Sequence, residues 1–400
     1  MNLKGLSFLF ALGLCVQPLF SEVLRFKYAQ DEQYRIVSEV HENVYINGAL
    51  SHRANILNKI AVDTLAVKGG AGLLSSSFQI SERTYGVHDS FVLTEDYYSA
   101  FWRDELGAYD IGPEYYMPVV RNVPLFPEGD IEVGYSWTAE GKEVHDFRRN
   151  YGITKAFRFP IQVNYTYLRN EELEGGTLAV LGIHYTVFHR VAPLSSRSRP
   201  VPIKITGVSD QVFYFDIEKG KPHSYEESFD FIFHLSNGDF VEYEGTARGT
   251  LIESPKLNRE RMVEELKEEL KDRGIEDASV KAEENGVTLT LENIQFPPDA
   301  ALLLDPEKRK LMGISEILKR YADRDILITG HTARVGTEES SQALSEQRAK
   351  AVGDYLISLG AVRETQIMTR GMGSREPLAD NATEAGRLLN RRVEITILEN

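Results

Sequence analysis

Apolar and polar positions alternate along much of the chain from about Glu22 to Thr250, and this pattern predicts β-strands. The stretch FRFPIQVNYTYL, residues 157–168, carries apolar side chains at every second position and mostly polar ones between them. Because a strand points successive side chains to opposite faces, a period of two indicates one buried and one solvated face. The predicted buried face holds Phe157, Phe159, Ile161, Val163, Tyr165 and Tyr167.

A second alternating run, SFDFIFHLSNGDFVEYEG at 228–245, places three phenylalanines and a leucine on one face. Asn47-Gly48 and Asn237-Gly238 each follow a strand-like run and predict tight hairpin turns, because both residues of such a turn adopt positive φ. The glycine cluster at 69–72 predicts another turn. The region 22–252 is therefore predicted to be an antiparallel β domain, either a sandwich or a half-open barrel.

The pattern changes near Ser254-Pro255. The string LNRERMVEELKEELKDRG predicts a helix, because Met262, Leu266 and Leu270 recur at helical spacing and charged residues cover the other positions. We interpret the region 253–285 as a solvated helical connector that ends in short strands. Its helix-strand order also resembles, weakly, half of a BON domain.

Strands and helices alternate from Gly286 to Asn400. Strand-like runs are GVTLTLENIQF, DILITG, QIMTRG and VEITIL. Between them, Asp305-Pro306 predicts a helix start, a second helix is predicted over about 338–359, and GRLLNRR predicts a short third helix. This order predicts a C-terminal βαβαβ domain, an α/β sandwich of about 110 residues, which is an ordinary domain size.

The first 21 residues have the pattern of an export signal. A lysine precedes an apolar run that is too short to span a bilayer, and we expect cleavage after Ser21. Cys15 is the only cysteine and lies in this run, so a lipid anchor there is the alternative. Either route predicts export to the periplasm and association with the outer membrane.

Composition and the absence of known catalytic motifs restrict the classes of function that the sequence can have. A hydrophobic content of 42% and a charged content of 26% are typical of a globular protein. The net charge of −15 argues against a nucleic-acid partner, because phosphate binding requires a basic surface. The sequence lacks Gly-x-Ser-x-Gly, a Walker loop and His-Glu-x-x-His, so we predict no enzyme activity, no cofactor and no metal site.

Several C-terminal motifs resemble those of the OmpA-like family, whose C-terminal domain binds peptidoglycan. The matching strings occur in the family's order over 286–400. They are LENIQFPPDAALL, ITGHTARVGTEESSQALSEQRAKAVGDYLISLGA, RGMGSREPLADNATEAG and RLLNRRVEITI. The resemblance implies an α/β fold and a pocket for the free end of the diamino acid in the peptide stem.

The resemblance also implies roles for individual residues. In the family, an Asp directly after His-Thr pairs with the ligand's ammonium, and an Arg in Leu-Ser-x-x-Arg-Ala holds its carboxylate. A pocket with one anion and one planar cation suits a zwitterion. The anion pairs with the ligand's ammonium, and the planar cation binds the ligand's carboxylate through two N–H groups. Arg348 matches the family arginine. The other implied ligand-site positions are Thr332, Ala333, Ser341, Ser345, Asn390 and Arg391.

Two of these positions depart from the family pattern. Ala333 stands where the Asp is expected, and Ser341 stands where an Asn is usual. Three interpretations stay open. The domain binds peptidoglycan with another acid, such as Glu338 or Glu339, on the amine; it binds a stem built on a different diamino acid; or its pocket no longer binds and the domain contacts protein.

We therefore predict a non-enzymatic envelope protein that links the outer membrane or a periplasmic assembly to peptidoglycan. Its predicted partners are peptidoglycan and outer-membrane or periplasmic proteins. The alternatives are a periplasmic adaptor that contacts protein and an integral outer-membrane β-barrel with a periplasmic anchor.

Overall fold

The computed structural model of the protein describes most of the chain. It covers residues 21–84, 90–173, 175–191, 200–253, 257–283, 285–292, 296 and 300–399. The predicted leader with Cys15 and the predicted boundary at Ser254-Pro255 lie outside the described residues. No helix in the described part is both long enough and apolar enough to cross a membrane.

Long antiparallel strands dominate the first part of the chain, as the alternating pattern predicts. The first strands are β1 (Gln33–Ile46), β2 (Ala49–Lys68), β3 (Ala71–Thr84), β4 (Phe91–Arg103), β5 (Tyr109–Ile111) and β6 (Val120–Arg121). The next are β7 (Ser136–His145), β8 (Phe157–Leu173), β9 (Gly176–Arg190), β10 (Pro202–Asp216), β11 (Lys221–Leu235) and β12 (Phe240–Glu253). A single helical turn, α1 (Arg148–Tyr151), lies between β7 and β8.

These strands form one continuous antiparallel sheet. From β1 to β4 and from β7 to β12, each strand pairs with the next long strand, and β1 also pairs with β12. The bonded order is therefore β7-β8-β9-β10-β11-β12-β1-β2-β3-β4. The prediction of a large antiparallel assembly is confirmed, but its strands are joined edge to edge rather than divided between two separately bonded sheets.

The alternation in β8 does correspond to burial. Five of its six predicted core side chains are at most 3% exposed, while Phe157 is half-buried. The intervening side chains are exposed or half-buried. The buried set packs with side chains of β9, β10 and β11 in an aromatic-rich core. The alternating pattern therefore identifies the face of β8 whose apolar side chains are stabilised by burial.

The two predicted Asn-Gly turns differ in geometry. Asn47 and Gly48 have φ of 51° and 79°, so both adopt the left-handed conformation of a two-residue hairpin turn. At the second site only Gly238 does so, with φ of 93°. There the Leu235 amide donates to the Asp239 carbonyl and closes a longer turn, so the prediction of two left-handed residues at Asn237-Gly238 is wrong.

The C-terminal region alternates helices and strands as predicted. Its helices are α2 (Arg259–Asp272), α3 (Asp305–Leu318), α4 (Glu338–Ser358) and α5 (Glu384–Asn390). Its strands are β13 (Ala278–Glu283), β14 (Gly286–Leu291), β15 (Ile326–Gly330), β16 (Ile367–Gly371) and β17 (Val393–Leu398). The bonded order is β13-β14-β17-β15-β16, and only the β15–β16 pair among these is parallel. Asp305 is the first helical residue of α3 rather than its cap.

Helix α2 belongs to the C-terminal core. Four of its side chains, Met262, Val263, Leu266 and Leu270, are buried in the same cluster as Leu311 and Ile314 of α3 and the apolar side chains of β14 and β17. The predicted apolar stripe is therefore confirmed. The interpretation of the helix as a solvated connector is wrong, because this face is covered by the C-terminal domain.

The C-terminal domain contacts the large sheet through a short strand pairing and a buried ion cluster, among other contacts. Met368 and Thr369 of β16 pair in parallel with Phe91 and Val92 of β4. The Thr369 hydroxyl also donates to the Phe91 carbonyl at 3.2 Å. A main-chain contact of this kind continues one sheet into the other and covers part of the β16 edge.

The second contact is a buried ion cluster. Asp325, directly before β15, accepts from Arg35 Nη1 at 2.5 Å and lies 2.9 Å from Lys59 Nζ. All three side chains are at most 7% exposed. Burial lowers the pKa of Lys59, and the charge of Asp325 opposes that shift. The cluster lies at the amino end of β15, whereas the predicted ligand-site residues follow its carboxyl end.

Candidate functional site

The predicted site residues lie around the carboxyl ends of β15 and β16. These strands are parallel and in register, so the segments after Gly330 and Gly371 leave the sheet side by side. Helix α4 packs closely across both ends. A side-chain carbon at Gly330 would lie 2.2 Å from the Ser345 carbonyl oxygen, and one at Gly371 would lie 2.5 Å from the Ser345 hydroxyl. Glycine at both positions is what permits this approach.

The start of α4 is well defined. Thr337 caps the helix, and its hydroxyl accepts from the Ser340 amide at 3.2 Å. Gly336 precedes it with φ of 85°, a conformation that glycine adopts without strain. Ser341, Ser345 and Arg348 then follow at helical spacing and are buried on the face that meets β15 and β16.

Two predicted site serines are bonded within the protein. The Ser345 hydroxyl donates to the Gln342 carbonyl at 2.8 Å and accepts from the Gly373 amide at 2.9 Å. The Ser341 hydroxyl donates over 3.5 Å to the Val335 carbonyl. These bonds fix the segments after β16 and β15 against the helix. A positioning role for both serines is therefore visible.

Arg348 lies one turn after Ser345 on the buried face of α4 and is largely covered. Its side chain is bounded by Phe296, whose ring centroid is 4.9 Å from the guanidinium carbon, and by Ala300, whose carbonyl accepts from Nε at 3.3 Å. The residue is 8% exposed. A ligand carboxylate would have to reach the small part of the guanidinium that these two neighbours leave accessible.

The segment after β15 supplies no acid next to Arg348. Ala333 is 5% exposed and contributes only a methyl group. The neighbouring Thr332 amide donates to the Gly373 carbonyl at 2.8 Å, while its buried hydroxyl has no hydrogen-bond partner among the described residues. Glu338 and Glu339, the proposed substitutes for the missing Asp, are exposed in the first turn of α4.

Asn390 organises the segment after β16. Its side-chain oxygen accepts from the amides of Leu378 and Ala379 at 2.7 and 3.0 Å. Its amide group donates to the Ala379 carbonyl and to Asn381 Oδ1, and that same oxygen accepts from the amide of Arg334. Asn390 is buried and fully bonded, so it shapes the rim of the site.

The two arginines after Asn390 have different surroundings. Arg391 is half-buried, and its guanidinium lies 2.9 Å from Glu384. Arg392 is buried, pairs with Glu394 at 2.7 Å and donates to the Glu376 carbonyl at 3.1 Å. Arg392 therefore braces the neighbouring segment, while Arg391 pairs with the exposed Glu384.

His331 and Arg392 share one carboxylate. His331 Nε2 lies 3.3 Å from Glu394 Oε2, on the opposite oxygen from the Arg392 contact. Burial raises the pKa of Glu394, but the close approach of His331 and the hydrogen bond and charge of Arg392 outweigh it and lower that pKa to about 2. Glu394 therefore stays ionised at neutral pH and anchors the first residue after β15.

Three neighbours of the site had no role assigned by the sequence. Phe296 and Ala300 belong to a motif of the family resemblance, yet nothing in their spacing predicts that they cover Arg348. Gln342 donates to the Gly371 carbonyl at 2.8 Å and accepts from Arg375 at 2.6 Å. The available signal for Gln342 was its position in the predicted helix, between the implied site residues Ser341 and Ser345.

Comparison with known proteins identifies this part of the chain. Residues 295–391 match the model of the OmpA family. The chain is 34% identical to outer membrane porin F of Pseudomonas aeruginosa over 126 residues, which cover 30% of this chain and 36% of that protein. It is 41% identical to the peptidoglycan-binding protein ArfA of Mycobacterium tuberculosis over 104 residues, or 26% and 32% of the two chains.

A solved outer membrane protein from Borrelia burgdorferi B31 is 37% identical, with a TM-score of 0.26; the match covers 30% of this chain and 96% of that one. The chain spans about a third of the length of the two curated relatives. These comparisons therefore concern the C-terminal domain.

Proposed function

We propose, from the premise that residues 295–391 form an OmpA-family domain, that the protein is a non-enzymatic component of the cell envelope that attaches to peptidoglycan. Export to the periplasm and association with the outer membrane are part of this proposal. It is supported by relatives of this domain that are named as a peptidoglycan-binding protein and as outer membrane proteins.

Within the site, Arg348 is proposed to bind the carboxylate at the end of a stem peptide. The observation that carries this role is its position at the family arginine, on the buried face of α4 one turn after Ser345, whose hydroxyl holds the segment after β16. A guanidinium suits a carboxylate because two parallel N–H groups meet two oxygens. Removal of water around the remaining accessible edge would strengthen the contact.

The absence of an acid at position 333 changes what the site can recognise. A zwitterionic end would leave its ammonium without the usual partner and would lose a charge-assisted bond of about 1.5–3 kcal/mol. That loss corresponds to roughly tenfold to a hundredfold in affinity. We propose that the domain recognises a stem end through its carboxylate, with the amine either in solvent, near Glu338 or Glu339, or differently placed in another diamino acid.

The position of the β domain is compatible with this attachment. Its contacts with the C-terminal domain are at Asp325, at the amino end of β15, and along β16. The proposed ligand position follows the carboxyl ends of the same strands. The large sheet is thus free of the proposed ligand site and can contact an envelope protein or membrane partner while the C-terminal domain binds peptidoglycan.

Binding of purified peptidoglycan sacculi tests the proposal. The full chain should sediment with sacculi, and Arg348→Ala should reduce the bound fraction at least tenfold, because a buried carboxylate contact is lost. Arg309→Ala, an exposed arginine on α3, is the control and should bind like wild type. Equal binding of wild type and Arg348→Ala would remove the proposed role of the arginine.

A second function is favoured by the cover that Phe296 and Ala300 place over Arg348. In this alternative the C-terminal domain is a periplasmic adaptor that contacts protein and no longer binds the wall. Wild-type protein that fails to sediment with sacculi, while it remains folded by circular dichroism, would favour the adaptor.

A further inference from the structure

A partly open cavity of about 370 Å³ lies against the large sheet. Strands β1, β2 and β3 form one wall, strands β10, β11 and β12 form another, and the segment 117–124 closes it. The volume falls within the range of small-molecule sites, about 300–1,000 Å³.

The cavity walls are mainly apolar. Aliphatic and aromatic groups supply most of the surface, and polar side chains lie between them. The apolar residues used in the argument are Ile36, Ile60, Phe78, Val123, Phe213 and Leu251. Such a surface suits a hydrocarbon chain, because transfer of apolar area out of water stabilises the complex.

Arg103, the last residue of β4, also lines this cavity. It is 7% exposed, and its guanidinium carbon lies 3.4 Å from the centre of the Phe26 ring and 5.4 Å from that of Tyr109. The Phe26 ring stacks on Phe126 with centroids 5.0 Å apart and so forms a firm aromatic floor. One flat face of the guanidinium is therefore covered by a ring, while its N–H groups lie in the plane of the group.

One of those N–H groups, the buried Nε–H, is unmatched. Buried Nε has no hydrogen-bond partner, and no carboxylate among the described residues lies within ion-pair distance of Arg103. Burial disfavours the charge of Arg103, but the nearby Tyr109, Tyr28, Tyr34 and Asp104 raise its pKa. None of these four side chains accepts a hydrogen bond from the guanidinium among the described residues, and Asp104 Oδ1 already accepts from the amides of residues 106–108.

Two other buried arginines each have a carboxylate partner. Arg35 is bonded to Asp325, and Arg392 is bonded to Glu394. Arginine remains protonated inside proteins, so it cannot avoid the cost of burial by losing its charge. A ring face compensates part of that cost through cation–π attraction, but it accepts no hydrogen bond in the plane of the group.

The cavity also contains one acid, Glu227, and its surroundings reduce its effect on an anion. Its carboxyl group accepts from the Ser209 hydroxyl at 2.7 Å and from Gln211 Nε2 at 3.1 Å. Burial raises the pKa of Glu227, which favours its uncharged form relative to an exposed glutamate. Its hydrogen-bonding needs are thus partly met by the protein, whereas those of Arg103 are not.

We propose that this cavity binds a small amphipathic carboxylate, with the carboxylate on the guanidinium of Arg103 and the hydrocarbon chain along the apolar walls. The ligand supplies the anion that Arg103 lacks and fills the space beside Phe78 and Leu251. This site is independent of Arg348 and of peptidoglycan binding.

Isothermal titration calorimetry on the full chain tests the proposal with three probes of one chain length. Decanoate should bind with a saturable isotherm, at least tenfold more tightly than decanol. Decylammonium should bind more weakly than decanol. Across a series of shorter carboxylates, affinity should rise about fourfold per added methylene until the cavity is full.

Two matched variants identify the group that recognises the anion. Arg103→Met keeps a long apolar side chain and removes the charge, so it should lower decanoate affinity to the decanol level and leave decanol binding unchanged. Arg158→Met changes an exposed arginine on β8 and should leave binding of both probes unchanged. A thermal unfolding curve establishes that each variant is folded.

The outcomes that overturn the proposal are distinct. If neither decanoate nor decanol binds, the cavity is not a ligand site of this class. If decylammonium binds most tightly, Glu227 is the recognising group. If folded Arg103→Met binds decanoate as wild type does, or binds both probes equally less, Arg103 has only a structural role.

Discussion

Position 333 is where one side chain of the C-terminal domain departs from the family pattern. The surrounding residues match the family motif: Arg348 on the buried face of α4, Gly336 in the left-handed turn and Asn390 bonded to the rim. At Ala333 itself, a methyl group replaces a carboxylate at a nearly buried position. The frame is therefore retained while the charge pattern of the pocket is altered.

Restoration of that carboxylate should restore recognition of a zwitterion. We expect Ala333→Asp to bind a muropeptide with a free diamino-acid end roughly tenfold to a hundredfold more tightly than wild type. Ala333→Asn, of the same size but uncharged, is the control and should gain much less. Calorimetry on the purified muropeptide measures the difference. Equal affinity of the Asp and Asn variants would show that position 333 no longer faces the ligand's amine.

Helix α2 shows how charge content can obscure a buried face. Its exposed face is rich in Glu, Lys and Arg, which makes the sequence look like that of a solvated helix. Its other face joins the core of the C-terminal domain, against α3. A narrow stripe of four apolar side chains is enough to anchor a helix when a complementary surface exists.

This packing has a measurable consequence. Leu266→Ala removes a buried side chain and leaves a cavity, so the free energy of unfolding of the C-terminal domain should fall by about 2–5 kcal/mol. Met312→Ala, at an exposed position on α3, should change it by less than about 0.5 kcal/mol. Denaturant unfolding compares the two. Equal, small effects would return α2 to the role of a solvated connector.

The two parts of the protein are joined by a charge cluster that neither part could stabilise alone. Arg35 and Lys59 lie on neighbouring strands of the large sheet, and Asp325 comes from the C-terminal domain. Without Asp325, Arg35 and Lys59 would both lose the carboxylate that now lies against them. The cluster therefore makes the packed arrangement depend on a single carboxylate.

Loss of that carboxylate should separate the two parts. We expect Asp325→Ala to destabilise the packed arrangement by about 3–5 kcal/mol, because two buried cations lose their partner. Glu364→Ala removes the exposed partner of Arg83, another pair between the two parts, and should cost less than about 1 kcal/mol. Calorimetric unfolding should split into two transitions only in Asp325→Ala. Identical scans for both variants would contradict a locking role.

Local patterns were enough to predict much of this fold. The period of two in β8, the Asn47-Gly48 turn and the alternation of helices and strands after Gly286 were all found as predicted. Each depends on interactions between residues a few positions apart, where backbone geometry dictates which side chains share a face. The motif order over the C-terminal domain likewise identified its family and the position of Arg348.

Contacts between distant segments followed no local rule. Four features depend on residues that are far apart in the chain. They are the burial of α2, the contact of Phe296 with Arg348, the cluster of Arg35, Lys59 and Asp325, and the surroundings of the unpaired Arg103 Nε. Which apolar faces meet depends on the packing of complete surfaces, and a charge acquires its energetic role only when its neighbours and its distance from water are known. The chain's alternating pattern thus specified the strands and helices, while their assembly in space assigned each buried charge its partner or left it without one.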